Sequence, residues 1–168
     1  MPLPHAIARA LRALAVIEDG LLIVLLVFLI VMSGGQILFR NLFGFGLMDL
    51  DSFSRLLVLW LGMLGAVVAA RSKKQINVDI LSTRLPTRAR AIAGIVIDLF
   101  TVAISALVAY YSWLFLLIEF ESDATLFASL PPWTAIVILP LAFGLIAFHY
   151  TLHAAAGIYQ YLQIDKPS

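Results

Sequence analysis

Four long apolar stretches, at residues 21–39, 53–70, 91–118 and 133–153, constrain this chain more than any other feature of its sequence. A bilayer core of about 30 Å is crossed by roughly 20 apolar residues in a helix, and each stretch approaches or exceeds that length. The composition agrees: 62% of the 168 residues are hydrophobic and 12% charged, against about 45–50% and 25% in soluble domains. The expected fold is an all-α integral membrane protein with four transmembrane helices and interfacial helical segments. Residues 1–168 form a single domain, because four spans leave no room for a separate soluble one.

The spans carry a few interruptions. Ser33-Gly34-Gly35-Gln36 falls inside the first and suggests a close-approach point or a bend. Arg55 stands at the mouth of the second. The third is long enough to tilt or to extend beyond the hydrocarbon. Pro140, inside the fourth, removes one backbone hydrogen bond and predicts a kink. A secretory signal peptide competes for the first span, since Arg9 and Arg12 precede an apolar run ending in small residues. Glu18 and Asp19 separate those cations from the run, and Ile37–Phe39 continue it past the glycines, which favours a retained span.

The basic residues set an orientation. Arg9 and Arg12 precede the first span, and Arg40 and Arg55 lie in the first loop. The second loop, 71–90, holds Arg71, Lys73, Lys74, Arg84, Arg88 and Arg90. The third, 119–132, holds none but has Glu119, Glu121 and Asp123, and Lys166 lies in the tail. With both termini cytoplasmic, nine of the eleven cations fall inside, as the positive-inside bias expects. Loops one and three then face the periplasm of a bacterial inner membrane.

Several features are candidates for function. Leu3, Ile7, Leu11 and Leu14 share one helical face and His5, Arg9 and Arg12 another, the pattern of a short interfacial helix on anionic lipid. A frayed tail that merely sets topology is the alternative. In the second span Gly62, Gly65, Ala66, Ala69 and Ala70 form a small-residue stripe near Trp60. Such a stripe lets another helix approach closely, from this chain or from a partner. Asp98 is the one acid well inside a span. Intramembrane acids suggest a proton relay, an ion site or a buried pair. About two turns from Arg88 and Arg90, a pairing at the cytoplasmic interface is favoured. His149 and His153, four apart, share a face. A bis-histidine haem needs a ligand from a facing helix, and the remaining histidine is His5, so a hydrogen-bonding or snorkelling pair is expected. The acidic run at 119–123 reads as solvated surface, or as a contact for a cation or a partner.

The segment 70–81, ARSKKQINVDIL, places three cations directly after the second span. These stop the helix at the headgroups and attract the anionic leaflet, by about 1 kcal/mol each. Ile76 and Val78 then return apolar surface to the interface, and Asp79 caps a helix start or pairs with a loop cation.

Absences narrow the classes. With no cysteine, disulfides, thiolate catalysis and cysteine-held metals are excluded. No P-loop, nucleophile elbow, dinucleotide fingerprint or zinc-binding histidine motif occurs. The chain reads as a non-enzymatic membrane subunit without metal, cofactor or nucleic-acid partner. It is also poor in midplane polar groups for a solute carrier working alone.

Three stretches together resemble the small membrane subunit of tripartite ATP-independent periplasmic (TRAP) transporters, the DctQ-like family. The first runs FRNLFGFGLMDLDSFSRLLVLWLGMLGAVVAARSKKQINVDIL. In it Arg40, Asp51, Arg55, Trp60, Gly65, Ala66, Arg71, Ile76, Val78 and Asp79 follow the family's order. The second is Leu85-Pro86 with Arg88 and Arg90. The third is LPPWTAIVILPLAFG, containing Trp133 and Pro140. The resemblance spans roughly residues 20 to 155. It departs from the family where Gln75 stands for a frequent His, Asn41 for an aromatic, and Asp51 for an acidic pair.

The resemblance implies a scaffold for a large multi-helix permease subunit that holds the substrate and sodium sites and moves as an elevator. A periplasmic binding protein would deliver an organic acid, and Glu119, Glu121 and Asp123 are the candidate docking surface. Membrane lipids complete the expected partners. Two readings compete: the membrane anchor of a redox enzyme, with His149 or His153 as haem ligands, and a free-standing channel or proton-linked carrier centred on Asp98.

Overall fold

In a computed structural model of the chain, the residues described are 5–43, 48–72, 87–121 and 131–164. They form helices α1 (His5–Phe43), α2 (Met48–Ser72), α3 (Thr87–Phe120), α4 (Trp133–Ile136) and α5 (Ile138–Ile164), with no strand among them. Four segments are long and apolar enough to cross a membrane: Leu11–Leu42, Ser52–Ser72, Arg88–Phe120 and Trp133–Leu162. All four expected spans are therefore present, each somewhat longer than its apolar run.

α1 is one continuous helix of 39 residues, about 58 Å at 1.5 Å per residue. The stretch expected to lie on the membrane surface instead continues directly into the first span. The helix runs unbroken through Ser33-Gly34-Gly35, and nothing would meet a Cβ at Gly34 or Gly35 within 4 Å, so the two glycines mark no close approach within this chain.

The fourth span does break, three residues ahead of Pro140. α4 ends at Ile136, the residue whose carbonyl a helical residue 140 would bond and the proline ring instead crowds. The interruption is slight, because Val137 keeps helical angles and its N–H donates to the Trp133 carbonyl at 3.0 Å. At the start of α4, Thr134 and Ala135 donate backbone N–H bonds to the carbonyls of Pro131 and Pro132 at 3.1 and 3.0 Å. The Thr134 hydroxyl donates to the Pro131 carbonyl at 2.8 Å. The Trp133 ring lies 5.8 Å from that of Phe120, bringing the end of α3 to the start of α4.

Among the described residues the principal helix contacts are α1 with α2, α2 with α5, and α5 with α3. The position of each helix in that series sets its burial. Only 6% of the hydropathic window of α1 is buried, against 22% for α2 and for the α4–α5 span. The buried apolar residues are mainly Leu57, Leu64, Val67 and Ala70 of α2 and Ile138, Ala142 and Ala154 of α5, two helices that pack on each other, with Leu116 contributed by α3. The tightest glycine approach is Gly157 on α5, where a Cβ would stand 3.2 Å from Ile95 Cγ1 of α3.

Candidate functional site

The most concentrated chemistry lies where α1, α2 and α5 meet at one end of the bundle. Glu18 on α1 is 3% exposed, and both of its carboxylate oxygens are engaged. Oε2 accepts from Arg71 Nη1 of α2 at 2.9 Å, and Oε1 lies 2.9 Å from His149 Nε2 of α5. An ionised carboxylate only accepts hydrogen bonds, so Nε2 of His149 carries the hydrogen. Arg71 also donates from Nη1 to the Ala15 carbonyl at 2.9 Å and from Nη2 to Asp19 Oδ1 at 2.6 Å.

One turn further along α5, His153 Nε2 lies 3.1 Å from the Ala70 carbonyl. Ala70 belongs to the last turn of α2, whose carbonyls have no intrahelical donor. His153 thus caps α2 by donating to it, and the Ser72 hydroxyl donates to the neighbouring Ala69 carbonyl at 3.1 Å. The layer continues toward α3, since the His153 ring stacks edge-on against Tyr150, 5.9 Å between centroids. Tyr150 is in turn within electrostatic reach of Asp98 on α3. Tyr150 and Asp98 are 2% and 3% exposed. Helices α1, α2, α5 and α3 are joined at one level by polar side chains, a latch in an otherwise apolar bundle.

Buried ion pairs seldom raise net stability over an apolar substitute, but removing one partner is costly because it strands a charge. The latch therefore fixes which helices neighbour one another more than it adds free energy. Arg71 was expected to lie among lipid headgroups; it turns inward to Glu18 and Asp19 because two carboxylates stand opposite it on α1. His149 and His153 do hydrogen-bond, as expected, but to α1 and α2 rather than to the membrane surface. Asp98 is buried on the α5-facing side of α3, while Arg88 and Arg90 are exposed.

The small-residue stripe of α2 divides between two directions. Gly65 faces α1, with Leu22 Cδ1 at 3.9 Å from an added Cβ, and Ala70 is buried. Gly62, Ala66 and Ala69 are exposed, and nothing would meet a Cβ at Gly62 within 4 Å. Trp60 is half-buried and its Nε1–H, fully enclosed, meets no acceptor among the described residues. Its indole thus packs within this chain instead of extending the exposed face.

The remaining candidates lie apart. Arg40 lines a pocket between α1 and α2 at the end opposite the latch. Arg55 is exposed. Glu119 falls in the last turn of α3 and Glu121 directly follows that helix. Ile76, Val78, Asp79, Pro86 and Asp123 lie outside the described residues, as does the side chain of Asp51. Among the described residues no group of three His, Asp or Glu could hold a metal.

The latch was missed in the sequence, although a signal existed. In a four-span chain the start of span one, the end of span two, the start of span three and the end of span four share one side. Glu18, Asp19, Arg71, Asp98, His149 and His153 occupy those four places.

Residues 27–159 match the DctQ component of tripartite ATP-independent periplasmic transporters. The chain belongs to the DctQ family. It is similar to a putative TRAP transporter small permease protein of Haemophilus influenzae, 29% identical over 126 residues, covering 75% of this chain and 71% of that protein. It is also similar to the isethionate TRAP transporter permease protein DctMQ of Oleidesulfovibrio alaskensis, 30% identical over 98 residues. That match covers 58% of this chain but 15% of the far longer relative. The chain is thus a multi-pass small permease component of a TRAP transporter, and not an enzyme.

Proposed function

We propose that this subunit is a scaffold, held together by the latch, that pairs with a large elevator-type permease subunit through the outward face of α2. The exposed Gly62–Ala66–Ala69 row carries this reading, because small residues facing outward from a membrane helix give up side-chain packing unless another helix lies close. The polar groups of the latch are committed to one another across helices, which suits a static part better than a moving one. The DctMQ relative, of which this chain covers 15%, fits a permease with both components in one chain and so supports the pairing.

On this reading substrate and coupling ion, sodium in the simplest case, bind in the large subunit. The substrate is a small organic acid brought by a periplasmic binding protein. A sulfonate such as the relative's isethionate belongs to the same chemical class. The membrane is the bacterial inner membrane, with both termini cytoplasmic, which puts the latch on the cytoplasmic side and Glu119 and Glu121 at the periplasmic face as docking contacts.

The test is affinity purification of a tagged chain from its native membrane in mild detergent. Recovery of a much larger polytopic protein in fixed ratio is expected. A lone chain that transports solute in liposomes would contradict the scaffold reading.

A further inference from the structure

α1 and α2 pack in an antiparallel register that brings Glu18 to Arg71 and Leu22 to Gly65. The α2-facing side of α1 is apolar along this seam and then turns polar, with Ser33, Gln36 and Arg40 following one another at helical spacing. There the seam opens into a shallow, half-open pocket of about 230 Å³, lined by those three residues, Ile37, and Ser54 of α2. The volume is below that of sites that enclose a whole small molecule, about 300–1,000 Å³, and leaves room for a headgroup fragment at the surface. Neither ion pair nor hydrogen bond engages the Arg40 guanidinium, the Gln36 amide or the Ser33 hydroxyl among the described residues.

Three observations indicate what the pocket takes. Its lining offers one permanent cation, Arg40, with the hydroxyl of Ser33 and the amide of Gln36, and a guanidinium beside hydroxyl and amide donors matches the oxygens of a phosphate. Its depth is that of a headgroup: Arg40 stands 22 residues beyond Glu18 on a continuous helix, about 33 Å at 1.5 Å per residue. That is the thickness of the hydrocarbon core, so the two charged levels mark its two boundaries. Below the pocket an apolar track runs toward the middle of α1, where Ile37, Ile30, Leu26 and Ile23 are 61%, 61%, 40% and 58% exposed.

We infer that this pocket is a binding site for an anionic phospholipid. Arg40 and the donors of Ser33 and Gln36 hold the phosphate, and the acyl chains lie along the Ile37–Ile23 track. The site lies within this chain and depends only on the chain's spanning the membrane.

The full chain, purified in mild detergent, would be titrated with phosphatidylglycerol, phosphatidylcholine or glycerol 3-phosphate and followed by native mass spectrometry and thermal unfolding. Phosphatidylglycerol is expected to bind and to raise the unfolding temperature, with phosphatidylcholine and glycerol 3-phosphate far weaker. Arg40→Gln should weaken phosphatidylglycerol binding about tenfold, the scale of one lost charge-assisted hydrogen bond. Ser33→Ala, a milder change, should weaken it less, and Arg88→Gln, at the other end of the bundle, should leave it unchanged. Equal protection by glycerol 3-phosphate would overturn the lipid in favour of a soluble anion. Undiminished phosphatidylglycerol binding by a helical Arg40→Gln chain would overturn the site. So would an Arg40→Gln chain that keeps its lipid but loses a large membrane partner, since the pocket would then hold that partner's side chain.

Discussion

Glu18 bonds at once to two other helices, to Arg71 of α2 and to His149 of α5, and its carboxylate is almost fully shielded from water. Replacing it with Ala leaves Arg71 bonded to Asp19 and the Ala15 carbonyl, and His149 without its carboxylate acceptor in a buried site. The expected cost is about 3–5 kcal/mol, the usual penalty for breaking a buried pair. Asp19, whose side chain is 49% exposed, shares the same guanidinium but remains hydrated. Asp19→Asn should cost about 1 kcal/mol or less, as for exposed pairs. Unfolding of both variants in one detergent would check the contrast; equal losses would show that burial does not govern the latch. Trp60 marks the opposite situation, a buried donor that meets no acceptor among the described residues.

At the scale of elements, what the sequence made legible was whatever hydropathy alone determines. The four spans followed from uninterrupted apolar runs, because no other backbone arrangement satisfies its hydrogen bonds in lipid. The break in the fourth span followed from Pro140. The sequence did not show which face of each helix turns inward, since lipid is as apolar as a helix core and hydrophobic pattern loses its meaning there. Hence Gly65 and Gly62, equal in the sequence, diverge: one meets Leu22 of α1, the other opens outward. Gly157 lies outside the small-residue stripe of α2, yet among the described glycines it is the one packed most tightly against another helix, with Ile95 of α3 3.2 Å from an added Cβ. A leucine there must displace Ile95 and separate the pair of helices. Gly157→Leu is therefore expected to lower the unfolding temperature of the isolated chain, whereas Gly62→Leu should not. The reverse order in a thermal scan would mean that α3 and α5 pack elsewhere.

For the molecule as a whole, the two halves of the account are an inward latch and an outward face. Polar groups of opposite sign, spread over four spans, were individually visible as charges but not as a set, because pairing depends on neighbours that sequence order hides. Their commitment to each other accords with the proposed scaffold role, in which transport takes place in a partner. The claim that α2 presents its small-residue face to that partner is the central one, and the chain's lack of cysteine allows a direct measurement. A single cysteine introduced as Ala66→Cys would be cross-linked in native membranes with a short thiol-to-amine reagent and compared with Val96→Cys, 58% exposed on α3. The account predicts an adduct with a much larger permease from position 66 and little or none from position 96. An adduct from position 96 alone, or no large adduct from position 66 in a membrane active for uptake, would contradict it.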